Sequence, residues 1–403
     1  MKRFAIISYE YPPDTGKGGI GTYTAQLAVC MSKRGYQVHV FAGSSHRSGT
    51  KMDDALHVHL VQCNDPFEFR SKVVAMFEKE NGISPFDLLE SAEINGNAWE
   101  IKKKFPAIPL VVRLHAPNSL VEGIKKRYTP FSTKVRFFLG ALRRLKWDPG
   151  YWRAFNREDD ADYHFAKIAD AITAPSEAMK QWIVKYWKLP GNTISVIPNL
   201  FSPPRLLLGL PLDFGTSSRR IVFFGRLNVL KGLVNATIAV KKILREFPDW
   251  QFRVIGDDEA GPDPGISMRQ WMKGHLQDVL DRVEFIDGLP YDELPAMMAD
   301  SEIILLPSLF ESFSYTCCEA MAAGKAIVGS RSGGMADLLG GGEYGMLVDP
   351  ESNAEIRKAI KHLIEHPALR YDFGAKARRR ILEGYDVTRT GNEFEEFYRG
   401  VVG

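Results

Sequence analysis

Two carboxylates stand eight positions apart in the run Pro307-Ser308-Leu309-Phe310-Glu311-Ser312-Phe313-Ser314-Tyr315-Thr316-Cys317-Cys318-Glu319. An ionised carboxylate accepts hydrogen bonds from two neighbouring hydroxyls, so such a pair suits a ribose and a hexose. The run passes from an apolar strand through a polar loop into a helix. Glu311 then lies at the C-terminal edge of the strand and Glu319 about two turns into the helix, facing the same crevice. The unpaired N–H groups of the helix start, from Phe313 and Ser314 to Tyr315 and Thr316, favour phosphate oxygens. Earlier in the chain Phe223-Phe224-Gly225-Arg226 ends another strand, and Lys231-Gly232 opens the following helix. An arginine and a lysine so placed make a diphosphate site, where two cations offset the charge that grows on a departing nucleotide.

Gly16-Lys17-Gly18-Gly19-Ile20-Gly21 spells the glycine pattern of a dinucleotide fold. That reading needs an acidic residue about 20 positions on for the ribose, and none occurs between Asp14 and Asp53. The loop is also long and carries Tyr11-Pro12-Pro13, unlike the tight turn of a dinucleotide site. Gly18 and Gly19 are therefore read either as the start of a helix offering N–H groups to phosphate or sugar oxygens, or as a plain flexible loop.

Other clusters have blander readings. His57 and His59 alternate on a strand with no third ligand at metal-site spacing, which favours ordinary strand histidines. Asp160-Ala161-Asp162 lies in a charged helical run rather than at a strand end and reads as a solvated face. Glu90 and Glu93 follow a short strand and read as acceptor contacts or as rim charges. Cys30, Cys63, Cys317 and Cys318 form no CxxC pair and read as reduced thiols. No metal cluster and no resident cofactor is expected.

Positioning these groups requires two domains. A chain of 403 residues with 45% hydrophobic and 25% charged residues suits two soluble cores. Apolar runs alternate with helical patterns, the grammar of parallel sheets built from βαβ units. In the first half strands are expected at Phe4–Ser8, Val38–Ala42, His57–Val61, Leu88–Glu90, Leu110–His115, Ala171–Ala174 and Ser195–Ile197. The basic start, Met1-Lys2-Arg3, precedes too short an apolar run for a signal peptide and reads as part of the first strand. A Pro- and Gly-rich stretch over 200–218 reads as a linker. The pattern then restarts with strands at Arg220–Gly225, Gln251–Gly256, Val283–Ile286, Ile303–Pro307, Ala326–Gly329 and Met346–Val348. The expected organisation is a first α/β domain over 1–199, the linker, a second over 219–385, and a C-terminal helix over 386–403 that packs back on the first domain. Two doubly wound α/β domains would face each other across a cleft.

The ensemble resembles the GT-B glycosyltransferases, and within them the retaining enzymes of family 4 that build bacterial polysaccharides. The resemblance rests on Glu311–x7–Glu319 (the EX7E motif), the glycine loop, His115 after a strand, Pro198-Asn199, Gly225-Arg226, Lys231-Gly232, Gly256 and Gly333-Gly334. It implies a GT-B fold of two Rossmann-like domains, with 1–199 on the acceptor side and 219–385 binding the nucleotide-sugar donor. It also implies that Arg226 and Lys231 bind the donor diphosphate, that Glu311 holds the transferred sugar and Glu319 the ribose. His115 would stand beside the transferred sugar, and the backbone at Leu289 would receive the base. Ser312 and Ser314 depart from the family, which commonly has glycines there. A serine keeps the backbone N–H but alters the fit around the sugar.

The expected activity is transfer of a hexose, glucose from UDP-glucose first among the donors, to a saccharide or lipid-linked saccharide, with retention and without a metal. A GT-B UDP-sugar 2-epimerase and a non-catalytic GT-B scaffold subunit are the alternatives. No nucleic acid is expected as a partner.

Charge adds one further expectation. Residues 1–199 carry 28 Lys/Arg against 20 Asp/Glu, although the whole chain has a net charge of only +3. From Ile124 to Trp147 there are eight Lys/Arg and no acid, interleaved with Phe131, Val135, Phe137, Phe138, Leu139, Leu142, Leu145 and Trp147. A basic amphipathic helix reads either as a docking element for an anionic membrane or as a core helix with a solvated basic face. The protein is expected to be cytoplasmic, and the first reading makes it peripheral on the inner membrane face.

Overall fold

The computed structural model describes residues 2–16, 18–145, 150–212 and 218–403. They divide into two compact units. The first comprises Met1–Asn118, Asn156–Ser202 and Tyr385–Gly403, the second Ser119–Phe155 and Pro203–Gly384.

The first unit is built on eight strands: β1 (Arg3–Ser8), β2 (Gln37–Ser44), β3 (Gly49–Asp53), β4 (Leu56–Gln62), β5 (Leu88–Ala92), β6 (Leu110–Arg113), β7 (Ala171–Ala174) and β8 (Ile194–Val196). Their order is β3-β4-β2-β1-β5-β6-β7-β8. Every pairing is parallel except that of β3 with β4. Every residue of β1 is buried, as expected for a central parallel strand covered on both faces. β3 is the strand that the sequence did not announce. Its Gly-Thr-Lys-Met-Asp is exposed throughout, so it is held by edge pairing and carries no apolar alternation.

The second unit contains β9 (Arg220–Phe224), β10 (Gln251–Ile255), β11 (Val283–Ile286), β12 (Ile303–Leu306), β13 (Ala326–Ser330) and β14 (Met346–Val348), in the order β11-β10-β9-β12-β13-β14. All of its pairings are parallel. The strand order reverses between β1 and β5 in one sheet and between β9 and β12 in the other. Doubly wound sheets bind ligands outside the C-terminal strand ends at such a reversal.

The last helix, Val387–Val402, belongs to the first unit, where Phe394 and Tyr398 join Phe4, Tyr23 and Leu27 in the core. The Tyr398 ring lies 5.1 Å from that of Phe4, and Arg34 reaches Asn392 at 2.8 Å.

The basic segment differs from expectation in two respects. It is two helices rather than one, Asn118–Tyr128 and Phe131–Arg143. Pro130 separates them because it donates no hydrogen bond and disfavours helical geometry at Thr129. The segment also groups with the second unit. Tyr128 Oη accepts from Asn235 Nδ2 at 3.2 Å, and Arg127 pairs with Glu351 at 3.0 Å. Lys146 and Trp147, the last residues of the expected helix, lie outside the described residues, as do 213–217 of the expected linker and Lys17 of the glycine loop.

Candidate active site

The donor-side groups stand at the reversal point of the second sheet. β9 runs into Gly225 (φ +143°), which turns the chain to present Arg226. Gly256 follows β10 with φ +146°, and a Cβ there would lie 2.0 Å from the Gly225 carbonyl oxygen. Arg226 extends to Glu259 at 3.1 Å, and Asn228 Nδ2 donates to the other Glu259 oxygen at 2.6 Å. The side-chain oxygen of Asn228 caps the 3-10 turn Val229–Lys231 by accepting from the Lys231 N–H at 3.2 Å. Gly232 has φ +71°, and a Cβ there would lie 1.8 Å from the Pro307 carbonyl oxygen. Only glycine fits this close passage. The Leu309 N–H donates to the Leu230 carbonyl at 2.8 Å, so the loops after β9 and β12 are laced together.

Their side chains meet accordingly. Lys231 Nζ ion-pairs with Glu311 Oε1, and Ser308 Oγ donates to the same oxygen at 3.1 Å. Both members of the pair are only partly shielded, with about a fifth to a quarter of each side chain exposed (24% and 19%). The Glu311 main chain is held from the other side, where it bridges Gly333 and accepts from the Gly334 N–H at 2.6 Å. A Cβ on Gly333 (φ +89°) would lie 2.2 Å from the Glu311 carbonyl oxygen.

The helix Tyr315–Ala322 begins beside this pair. Ser314 caps it by accepting from the Cys317 N–H at 3.2 Å, and Phe313 is buried with its ring edge-on to Tyr315, 5.4 Å away. No acidic residue stands in the first turn, so the N–H groups near Tyr315 and Thr316 present a positive end. Glu319 lies little more than one turn into the helix, not two, because the helix starts only at Tyr315. It is hydrogen-bonded to Tyr291, and burial pushes its carboxyl up to about 7 while the Tyr291 bond pulls it down. Leu289 sits in the loop after β11, two residues before Tyr291.

In the first unit Gly18 precedes the helix Gly19–Lys33, which has neither a side-chain cap nor an acidic residue in its first turn. A Cβ on Gly19 would meet nothing within 4 Å, and one on Gly18 only Glu10 Oε2 at 3.3 Å. A Cβ on Gly21, in contrast, would lie 2.6 Å from Gly16 Cα, so the first turn packs closely on the preceding loop.

His115 follows β6 and is buried, its ring edge-on to Tyr23 at 5.2 Å. Burial first, and Arg113 second, push its pKa down to about 3. At neutral pH it is an uncharged hydrogen-bonding group.

Glu90 and Glu93 are not rim charges; both are buried. Glu90 accepts from Tyr23 Oη at 2.7 Å and from Tyr398 Oη, beneath Arg113. Glu93 accepts from the His115 N–H with both oxygens, each at 2.9 Å. Their positions at a strand end suggested exposure, but their partners arrive from distant segments.

Asp160 and Asp162 are likewise buried rather than solvated. Asp160 caps the helix Ala161–Lys167 and accepts from Trp187 Nε1 at 2.9 Å; Asp162 accepts from the N–H groups of Asn95 and Asn118 at 3.1 and 2.8 Å.

The strand histidines do have a third neighbour. β2 and β4 pair so that His39 faces His57, and the ligand atoms of His39, His57 and His59 lie within 4.8 Å of one another. Arg3 approaches His39 Nε2 at 3.2 Å, His39 Nδ1 approaches His59 Nε2 at 2.9 Å, and His59 Nδ1 approaches Thr50 Oγ1 at 3.0 Å. Arginine only donates, so the direction of the whole chain is fixed: each ring accepts at Nε2 and donates at Nδ1. Those bonds use the same nitrogens that a metal would need, and the rings stack instead of converging on a point.

Tyr291, Glu259, Asn228 and Ser308 were not singled out from the sequence. Asn228 carried a local signal, an Asn three residues before Lys231 at a helix start. The other three are visible only once the loops are brought together.

Comparison with known proteins adds to this geometry. Residues 17–203 match the family described as Glycosyltransferase Family 4, and residues 212–380 match Glycosyl transferases group 1. The glycogen synthase of Mycobacterium tuberculosis is 23% identical over 401 residues, covering 95% of this chain and 91% of that protein. Among solved structures, the sucrose-phosphate synthase of Thermosynechococcus elongatus superposes with a TM-score of 0.74 at 19% identity, covering 100% of this chain and 99% of that one. HepE of Anabaena, solved in complex with UDP-glucose, gives 0.66 at 18% identity over 99% and 100% of the two chains.

Proposed function

For this GT-B glycosyltransferase we propose transfer of glucose from UDP-glucose to a saccharide or lipid-linked saccharide acceptor in cell-surface polysaccharide synthesis, with retention at the anomeric carbon and without a metal ion. The observation that carries this reading is the Lys231–Glu311 pair at the reversal point of the second sheet, flanked by Arg226 and the open start of the helix Tyr315–Ala322. Arg226 and Lys231 hold the diphosphate, Glu311 the hydroxyls of the sugar, Glu319 the ribose and the Leu289 backbone the base. His115 contacts the transferred sugar as a neutral hydrogen-bonding group. The start of the helix Gly19–Lys33, at Gly18 and Gly19, offers N–H groups to donor oxygens.

Glu311 is held by Lys231 and Ser308 in a way that suits acceptance of sugar hydroxyls rather than attack on carbon. The proposed step is accordingly front-face. The bond from the anomeric carbon to the diphosphate oxygen breaks, the acceptor oxygen bonds on the same face, and the acceptor proton passes to the leaving phosphate oxygen. Two cations stabilise the charge that develops there. HepE, which shares the fold, was solved in complex with UDP-glucose, and this supports the choice of donor.

Calorimetry against UDP-, GDP- and ADP-glucose, followed by NMR of the product anomer, tests the reading. UDP-glucose is expected to bind most tightly and to give an α-linked product. A β-linked product would overturn retention. Activity is expected to survive EDTA; loss on chelation with recovery on adding Mg²⁺ or Mn²⁺ would overturn metal independence.

The acceptor is proposed to be met at an anionic membrane surface. Among the described residues no helix is long and apolar enough to cross a membrane. In the helix Phe131–Arg143 only Ala141 is buried, while Phe137 and Phe138 are half-buried with their rings edge-on to Tyr151 and Trp152. Phe131, Leu139, Leu142, Leu145, Trp152 and Phe155 are exposed beside Lys134, Arg136, Arg143 and Arg144. Each basic residue near an anionic leaflet contributes about 1 kcal/mol, enough in sum for reversible docking. Co-sedimentation with anionic and neutral vesicles at low salt is the test. Equal binding to both, or binding unchanged when Arg136, Arg143 and Arg144 become Glu, would overturn it.

A further inference from the structure

Glu93 is fully buried, and among the described residues no cationic side chain hydrogen-bonds to its carboxyl. A buried carboxyl in such a place is costly unless its acceptors are used. Here they are used by main chain alone. Both oxygens take the His115 N–H at 2.9 Å, and the N–H groups of Ala116 and of Glu93 itself also reach the carboxyl. The Glu93 N–H in addition donates to the Arg113 carbonyl at 3.2 Å. β6 ends at Arg113, and the Leu114 N–H makes the last bond to the sheet, to the Thr173 carbonyl at 2.8 Å. The N–H groups of His115 and Ala116 therefore have no strand partner, and the Glu93 carboxyl takes the place that a neighbouring strand would fill.

A second carboxyl braces the same turn. Asp162 accepts from the N–H groups of Asn95 and Asn118, two residues beyond Glu93 and three beyond His115. The segments leaving β5 and β6 are thus tied to each other by Glu93 and to the helix Ala161–Lys167 by Asp162. Among the described residues the buried His115 ring makes no side-chain hydrogen bond; it packs edge-on against Tyr23 at 5.2 Å, which orients the plane of the ring.

We propose that Glu93 is the positioning residue of His115: its carboxyl fixes the main chain at the turn and thereby the placement of the imidazole against the transferred sugar. Glu93 does not touch the substrate. It acts through the His115 backbone, and loss of the carboxyl lets the turn relax and the ring drift. Misplacement of about an ångström at a reacting centre costs on the order of a hundredfold in rate, so a partial drift lowers kcat by about tenfold and leaves donor binding nearly untouched.

The inference rests on the proposed transfer reaction and on the role of His115 in it, and the experiment separates the two. Steady-state kcat and donor KM are measured for His115→Ala, Glu93→Leu, Glu93→Gln and the double variants, alongside thermal unfolding of each. The expected result has four parts. His115→Ala is impaired in kcat; Glu93→Leu loses about tenfold in kcat with donor KM within about threefold. Glu93→Gln, which keeps one carbonyl acceptor, loses less. Neither Glu93 change lowers kcat further once His115 is Ala, because residues acting through one another are non-additive. Wild-type turnover in His115→Ala would sink the assigned role of His115. An impaired His115→Ala with a normal Glu93→Leu, or with effects that multiply in the double variants, would overturn the positioning role alone. If Glu93→Leu fails to fold, Glu93→Gln carries the test. A drop of about threefold that vanishes in the His115→Ala background supports the proposal, and unchanged kcat overturns it.

Discussion

Lys231 and Glu311 form an ion pair between the loops that leave β9 and β12, the two strands between which the second sheet reverses its order. The two residues lie 80 positions apart in sequence yet share one oxygen with Ser308. In the proposed binding mode a donor diphosphate competes with Glu311 for the ammonium group, and the sugar hydroxyls compete with Lys231 for the carboxylate. The donor therefore redistributes a charge that is already balanced.

Removing either partner leaves the other unbalanced and the diphosphate or sugar unheld. Lys231→Ala and Glu311→Ala are each expected to reduce kcat by at least about a hundredfold, in line with the loss of one stabilising group at a reacting centre. Steady-state kinetics on variants with unchanged melting temperature would check this. Near-normal turnover in either would remove the site from this crevice.

Gly333→Ala should act on Glu311 without touching its side chain. The added Cβ would lie 2.2 Å from the Glu311 carbonyl oxygen at a backbone φ of +89°, a region that costs an L residue about 1 kcal/mol or more. Displacement of the Glu311 main chain is expected to lower turnover by about tenfold or more. Gly19→Ala, with open space around its Cβ, is expected to be far milder for the fold. Paired melting and activity measurements distinguish the two.

Glu319 titrates near neutrality, raised to about 7 by burial. The ionised form accepts from both ribose hydroxyls, so affinity for UDP-glucose should rise with pH. Between pH 6 and pH 8 the gain is about tenfold, the change in ionised fraction across one unit on either side of the midpoint. The Tyr291 hydrogen bond favours the carboxylate, so Tyr291→Phe should move the midpoint to higher pH. Glu319→Gln should bind weakly and without this pH dependence. Calorimetry from pH 5.5 to 8.5 is the measurement. A pH-independent affinity in the unaltered protein would contradict the assignment of Glu319 to the ribose.

His39 and His59 make the first domain acid-sensitive. Burial, with Arg3 and the neighbouring imidazoles, pushes them down to about 3 and about 4 from an ordinary 6.5. The unfolded chain therefore binds protons that the folded chain refuses. The stability these rings confer is fully present above pH 6.5 and is lost as pH falls through that value toward 4 and 3. Melting temperature should decline over that window, and His39→Leu and His59→Leu should flatten the decline while lowering stability at pH 7. A melting temperature equally flat in all three proteins between pH 7 and 4 would refute it.

Much of this architecture was legible from period and spacing. Thirteen strands follow from apolar runs punctuated by Gly and Pro, because buried parallel strands are apolar on both faces. β3 escaped because an exposed edge strand has no such face. The eight-residue spacing of Glu311 and Glu319 and the pair Gly225-Arg226 pointed to a crevice. The sequence did not show how Lys231 and Glu311 approach each other, which depends on Gly232 passing under Pro307 and on the Gly333 bridge. Buried acids were the main source of error. Glu90, Glu93, Asp160 and Asp162 carry charge and were read as exposed, yet each is satisfied by donors from segments far away in sequence. Local pattern cannot show that a polar group has been supplied with partners across the fold.

The return of the last helix to the first unit has a consequence for how the protein is made. Glu90, buried on β5, takes one of its two hydroxyl partners from Tyr23 and the other from Tyr398, five residues from the end of the chain. Phe394 and Tyr398 also complete the core around Phe4 and Tyr23. Domains usually fold in the order in which they leave the ribosome. Here that order is inverted. Residues 203–384 of the second unit are all translated before the first unit receives its closing helix. The strands of the first unit wait, with a buried acid half-partnered, until the helix Val387–Val402 has been synthesised. A nascent chain arrested before Tyr385 would therefore hold a donor-side core able to close while the older half remains open to proteolysis.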